Sequence, residues 1–283
     1  MIVTENINIP SGVEIRGQQA GVNASTGNRA TDIDPADETI FSGSVTLNGI
    51  ARINGVTLKT KPVIQNAKVV TLENTRILSI TAPGQNHLTD AVIALDQWND
   101  PVKLVVDGCY FGNNTGTYNV FELNAPLADG SSISNNYFTA AAGSHNIINI
   151  YEVENNAEIN IKDNHFELSA SAARIGIKGN KLATLNFDGN SYDATDMTDS
   201  DGDLDYEWAG LITIQPYSTS TVSMKDIEIN ISNTIIPTAI PQQLFVYYAN
   251  TTDAQLDNDN KPTINVDGIK ENWTNLIHGR ILS

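Results

Sequence analysis

The sequence predicts an all-β solenoid with three short strands per coil, and three observations predict it. The first is an internal repeat between residues 91 and 192. Each copy opens with a short apolar strand: AVIAL at 91–95, NVFEL at 119–123, NIINI at 146–150 and RIGIK at 174–178. A second strand follows and runs into a polar bend and an aromatic pair: LVVDGCYF at 104–111, SISNNYF at 132–138, NIKDNHF at 160–166 and NFDGNSY at 186–192. Ile93, Phe121, Ile148 and Ile175 anchor the first strands at intervals of 27 or 28 residues, and Val106, Ile133, Ile161 and Phe187 anchor the second at 26 to 28. A fixed period in this range marks repeats that bury their apolar faces only against their neighbours. The second observation is strict alternation, as in Ile159 and Ile161 around Asn160, which is the period of a strand and not of a helix. The third is a column of equivalent bends: Cys109, Asn136, Asn164 and Asn190 each stand three residues after a second-strand anchor.

Asn suits such a bend because it tolerates left-handed backbone angles and its amide can bond the next Asn in the column. One residue further on, Tyr110, Tyr137, His165 and Ser191 are expected to face outward, and Phe111, Phe138, Phe166 and Tyr192 inward. On these residues the chain resembles the right-handed parallel β-helix of the pectate-lyase-like superfamily, whose coils carry Asn ladders. The resemblance covers most of the chain. It implies a fold shared by enzymes, adhesins and phage proteins, so it says little about function. A competing pattern, the leucine-rich repeat, fits LATLNFDGNSY at 182–192. The other copies lack its leading leucine and carry an alternating strand where that repeat would place helix or irregular chain.

Taken in order, residues 1–40 read as an N-terminal cap and polar loop, 41–270 as coils, and 271–283 as a C-terminal cap, all within one β-helix domain spanning 1–283. NINIPSGVEIRG supplies two short strands about a Pro-Ser-Gly turn that would shield the first coil's unpaired edge. Gln18 to Glu38 is a polar loop rich in Gly, Asn, Thr and Asp, long enough to be either a binding loop or simply mobile, and mobility is the reading favoured. INGVTL at 53–58 and LENTRI at 72–77 repeat the second-strand pattern with Val56 and Thr75 at the bend. Beyond Tyr192, Ile212 and Met224 keep the strand-to-strand interval, and inserted loops are expected near 193–209 and 249–262. Phe245 to Tyr248 with Thr263 to Val266 form a later coil, and a last strand follows before the end.

The charge balance narrows the partners. Lys and Arg number 16 against 33 Asp and Glu, a net charge of -17, which disfavours nucleic acid and anionic membrane surfaces. No apolar run is long enough to insert in a membrane. The single cysteine, Cys109, sits in the bend column as a small substitute for Asn.

Two groups of residues are candidates for binding. Asp199, Asp201, Asp203 and Asp205 alternate about Gly202, as oxygen ligands for Ca²⁺ do, although Leu204 and Gly210 stand where an EF-hand loop would have Gly and Glu. Asp253, Asp257 and Asp259 form a sparser second cluster. Trp98, Tyr110, Tyr137, Tyr151, Trp208 and Tyr217 fall at strand ends or turns, where rings can stack on sugars or a partner protein. Of these, Trp98, Tyr151 and Trp208 are the expected carbohydrate or partner contacts.

Catalytic motifs of the resembled enzymes are not evident. There is no GHG, Arg174 to Lys178 is only a loose likeness of the hydrolase RIK, and no His pairs with a Ser or Cys in a nucleophile motif. The expectation is therefore a non-catalytic attachment or structural protein on a phage virion or a bacterial cell surface, binding a glycan or another surface protein. Met1 opening directly into strand sequence is read in favour of the virion. The resemblance also admits a homotrimer. The alternative left open is a Ca²⁺-assisted polysaccharide lyase or glycoside hydrolase working in a groove on the β-helix face, since carboxylates brought together across coils are hidden from sequence.

Overall fold

The structure is a computed structural model. It describes residues 1–26, 37–78, 88, 91–112, 119–139, 146–168, 171–177, 181–194, 212–214, 224–235, 245–250, 262–267 and 277–282. Every named element among them is a β-strand, and every strand pairing is parallel. No helix there is long and apolar enough to cross a membrane.

Three sheets take the strands in rotation. Through the repeat, the third sheet receives Ile93–Leu95, Asn119–Leu123, Asn146–Ile150 and Ser171–Ile175. The second receives Lys103–Asp107, Ser132–Ser134, Ala157–Lys162 and Ala183–Asp188. After a bend of two residues, the first receives Tyr110–Gly112, Tyr137–Phe138, His165–Leu168 and Ser191–Ala194. Strands one repeat apart are hydrogen-bonded neighbours, because each can close its open ladder only against its equivalent.

Alternation explains what is buried. Val106, Ile133, Ile161 and Phe187 lie in register and are at most 1% exposed, while the residues on either side of them face solvent. Phe111, Phe138, Phe166 and Tyr192 form a continuous stack, with centroids 4.9, 5.0 and 5.3 Å apart and planes within 11° of parallel. Phe121 meets Phe111 and Phe138 edge-on at 5.0 and 5.5 Å. Such contacts add about 0.5–1.5 kcal/mol per pair beyond area burial.

Two register assignments need correction. Ile148 lies opposite Ala173, not Ile175, and Ile175 pairs with Ile150. Likewise Phe187 pairs with Ile231, so the second-sheet strand after Ile212 is Ile227–Ser232 and Met224 precedes it. The second error is a shift of seven residues, from Met224 in the turn before the strand to Ile231 within it, and the first is a slip of two. A slip of two residues leaves every side chain on the same face, so alternation does not detect it.

At the N-terminal edge, Ile7–Ile9 and Val13–Arg16 both pair with one long strand, Val45–Asn54. Against the following strand, Val63–Glu73, its register shifts between Asn48 and Ile50, at Gly49 with φ of 61°. Later, Phe245–Asn250 and Ile277–Leu282 extend the third sheet and Thr263–Val266 the second.

Candidate functional site

The bends between the second and first sheets are the most regular feature of the molecule. Each opens with a residue of positive φ: Gly55, Asn74, Gly108, Asn135, Asp163, Gly189 and Asn233, between 48° and 70°. All are Gly, Asn or Asp, the types that tolerate this region. The left-handed residue is thus the one before the column of Cys109, Asn136, Asn164 and Asn190, which differs from the sequence expectation. The column residues have another task. Asn164 Oδ1 accepts from the Asn136 main-chain N–H and from Asn136 Nδ2, both at 3.0 Å. Asn190 does the same for Asn164, and Asn136 Oδ1 accepts from the Cys109 N–H at 2.9 Å. Each amide also donates back to a strand carbonyl, Val106, Ile133 or Ile161. Cys109 Sγ lies 3.4 Å from the Leu72 carbonyl, standing in for that last donor.

Outside the bends, the first residues of the first-sheet strands form an outward row. Tyr110 and Tyr137 stack at 5.5 Å, and Tyr137 and His165 meet at 4.5 Å with their planes tilted by 31°. His165 Nδ1 lies 2.9 Å from Ser191 Oγ, and the Arg76 guanidinium sits 5.8 Å over the Tyr110 ring. The Tyr137 hydroxyl donates to Glu167. Partial burial raises the pKa of Tyr137, and the Glu167 carboxylate raises it further through the hydrogen bond and its charge. Burial and Glu167 also raise Tyr110, against a smaller opposing pull from Arg76. His165 was expected to face outward as a surface residue at the position Ser191 takes one repeat later, and the register places the two directly side by side.

The segment expected to be a mobile loop supplies a further wall. Gly17 N–H donates to Asn54 O at 2.8 Å, Gly21 N–H to Asn54 Oδ1 at 3.2 Å, and Ala24 N–H to Gly108 O at 2.8 Å. Residues 17–26 therefore run as a strap across the bends. Gly55 is required beneath it, because a Cβ there would stand 2.0 Å from the Ala20 nitrogen. Where the strap reaches Asn135, it borders an open pocket of about 320 Å³ between Asn23, Ser25 and Thr26 on one side and Asp163, His165 and Ser191 on the other.

Of the expected contacts, Trp98 and Tyr151 are brought together, with ring centroids 6.1 Å apart and planes at 51°. Trp98 is 37% exposed, but Tyr151 is only 7% exposed and supports Trp98 instead of offering a face of its own. Trp208, the acidic run Asp199, Asp201, Asp203 and Asp205, and the sparser Asp253, Asp257 and Asp259 lie outside the described residues. No group of three or more His, Cys, Asp or Glu suited to a metal occurs among the described residues.

A second row runs along the third sheet. Ala94, Glu122, Asn149, Arg174 and Thr213 are in register. Glu122 is 2% exposed and accepts from Asn149 Nδ2 at 3.1 Å, while Asn149 Oδ1 has no hydrogen-bond partner among the described residues.

Sequence reasoning placed Tyr110, Tyr137, His165 and Ser191 together as outward residues but of these offered only the two tyrosines as candidate contacts. The shared position, one residue past each bend, was the available signal that His165 and Ser191 belong with the tyrosines. Nothing in the strap's composition announced where it lies. Comparison with family models, curated proteins and solved structures gives no match to the chain.

Proposed function

We propose that this chain is a right-handed parallel β-helix of the pectate-lyase-like kind, three strands to the coil, serving as a non-catalytic attachment or decorating protein on a phage virion or a bacterial cell surface. It forms one domain over 1–283, and its partner is a glycan or a surface protein. The observation that carries this reading is the outward row Tyr110, Tyr137, His165 and Ser191 beside a polar pocket, on rigid strands held by buried Asn side chains. A row of hydrogen-bonding edges, fixed in advance by its support, loses little freedom on binding. The Tyr137 hydroxyl is held by Glu167 and His165 Nδ1 by Ser191, so the polar groups of the row are fixed in place. That arrangement suits a hydroxyl-rich ligand. The high negative charge favours neutral glycans over acidic ones.

A glycan array probed with the full chain tests the reading, together with labelling of intact virions and cells by an antibody to the chain. Retention of neutral glycans and surface labelling are expected. Absence of both would end the proposal.

A second reading, Ca²⁺-assisted glycan cleavage in a groove on the β-helix face, is favoured by the carboxylate of Glu122 held beside Asn149, in register with Arg174. Incubation with pectin, alginate and capsular polysaccharide, with and without Ca²⁺, distinguishes the two. Product release lost in Glu122→Gln would establish the enzyme.

A further inference from the structure

We propose that the pocket between the N-terminal strap and the bends at Asn135, Asp163 and Gly189 is a binding site for one neutral sugar residue, held by side chains of the strap and the first-sheet row. This rests on the glycan-binding reading and assigns it a place and a ligand class.

Size is the first constraint. At about 320 Å³ the pocket lies at the small end of the range of roughly 300–1,000 Å³ found for small-molecule sites, enough to seat a single ring, from which a longer glycan would extend through the open side.

Chemistry is the second. The lining holds three hydroxyl-bearing residues besides Tyr137, namely Ser25, Thr26 and Ser191, with the amides of Asn23 and Asn135 and the carboxylate of Asp163. Among the described lining residues none is aliphatic, although the lining exposes carbon as well as polar atoms, so a wholly apolar ligand would strand the polar groups without water. A polyol offers donors and acceptors in alternation and can meet both kinds. Several of the lining groups are already oriented. Ser25 N–H and Oγ–H both donate to Asn23 Oδ1 at 2.7 Å, which fixes the strap's turn and turns the Asn23 amide nitrogen to other partners. Asn135 Nδ2 donates to Asp107 Oδ1 at 2.8 Å, leaving its own carbonyl oxygen as an acceptor. His165 Nδ1 is engaged by Ser191, so Nε2 is the nitrogen left for a ligand.

Charge is the third. Asp163 lines the pocket and Glu167 bonds the adjoining Tyr137, so a uronate or sialate carboxylate would meet like charge without a facing cation among the lining residues. Neutral hexoses and N-acetylhexosamines are selected over acidic sugars on that ground.

Finally, the two walls come from distant parts of the chain. Ala24, fully buried, pins the strap to the Gly108 bend, so the site is completed only when residues 17–26 are docked.

The test uses the full chain with free glucose, galactose, mannose, N-acetylglucosamine and galacturonic acid, read by saturation-transfer NMR and titration. At least one neutral sugar is expected to bind and galacturonic acid is not. Two variants address the two walls independently: His165→Phe, which keeps the ring against Tyr137, and Thr26→Ala on the strap. Each is expected to weaken binding about tenfold, the loss of one good hydrogen bond, with unchanged melting temperature. If glycans bind and both variants bind as the parent does, while Trp98→Ala loses binding, the pocket is overturned and glycan attachment survives. Preference for galacturonic acid overturns the ligand class. If no glycan binds, on the array or in solution, the pocket and the glycan reading fall together.

Discussion

Replacing Asn164 by Ala removes four hydrogen bonds from a residue that is 1% exposed. Its Oδ1 serves the Asn136 main-chain N–H, and its Nδ2 serves the Ile133 carbonyl and Asn190 Oδ1. With Ala in place the Asn136 N–H is stranded in the interior, at about 1–3 kcal/mol, and the lost partners of Ile133 and Asn190 and a small void add to it. The expected destabilisation is about 3–5 kcal/mol. An internal control exists on the solvent side of the second sheet. There Asn160, Asn186, Asn230 and Asn265 form a second amide row, each later Nδ2 donating to the preceding Oδ1 at 2.8 to 3.1 Å. Asn186→Ala breaks bonds of the same chemistry, but water replaces them, so a cost under about 1 kcal/mol is expected. Urea unfolding followed by fluorescence gives the two values. Hydrogen exchange over residues 132–138 and 160–166 shows whether the loss is local, since long stacks of similar units depart from two-state behaviour. Equal costs for the two variants would falsify the claim that burial, and not amide pairing itself, gives the column its strength.

Other perturbations follow from the same geometry. Cys109→Asn places the column's usual amide where the thiol faces the Leu72 carbonyl, and should change stability by no more than about 1 kcal/mol, whereas Cys109→Leu should lower the melting temperature markedly. Gly55→Ala sets a Cβ 2.0 Å from the Ala20 nitrogen at a φ of 70°, so the strap should lift; exchange of the Ala24 amide, now bonded to Gly108, reports it. Hydrogen bonds from Ser232 and Asn233 lower the Asp188 pKa below its ordinary 3.8. Its contribution is therefore present above that pH and lost as pH falls through the lowered value, and Asp188→Asn should flatten the melting curve's dependence on pH below about 4. Burial raises Tyr192 above its ordinary 10.0. The folded state then keeps a proton that the unfolded chain releases, so stability should fall above about pH 10, less steeply in Tyr192→Phe.

Sequence alone determined which side chains turn inward, because alternation of period two is imposed by the pleat and is independent of what a strand pairs with. Val106, Ile133, Ile161 and Phe187, and the inward Phe111, Phe138 and Phe166, were legible for that reason. So was the column of Asn136, Asn164 and Asn190, since a bend needing special backbone angles and a buried amide restricts its residue types strongly. Where two arrangements bury the same faces, sequence had no means of choosing. Ile148 could face Ala173 or Ile175 at no cost to the pattern, and only the hydrogen-bonded ladder selected Ala173. The pocket belongs to the same class of unknowns. Its walls, the strap at 23–26 and the row at Tyr137, His165 and Ser191, are separated by more than a hundred residues along much of their span, and their meeting was decided by the Ala24 to Gly108 hydrogen bond and by parallel pairing. Local patterns record what a residue does to its own strand, while contacts between distant segments are written in geometry that no short stretch of sequence contains.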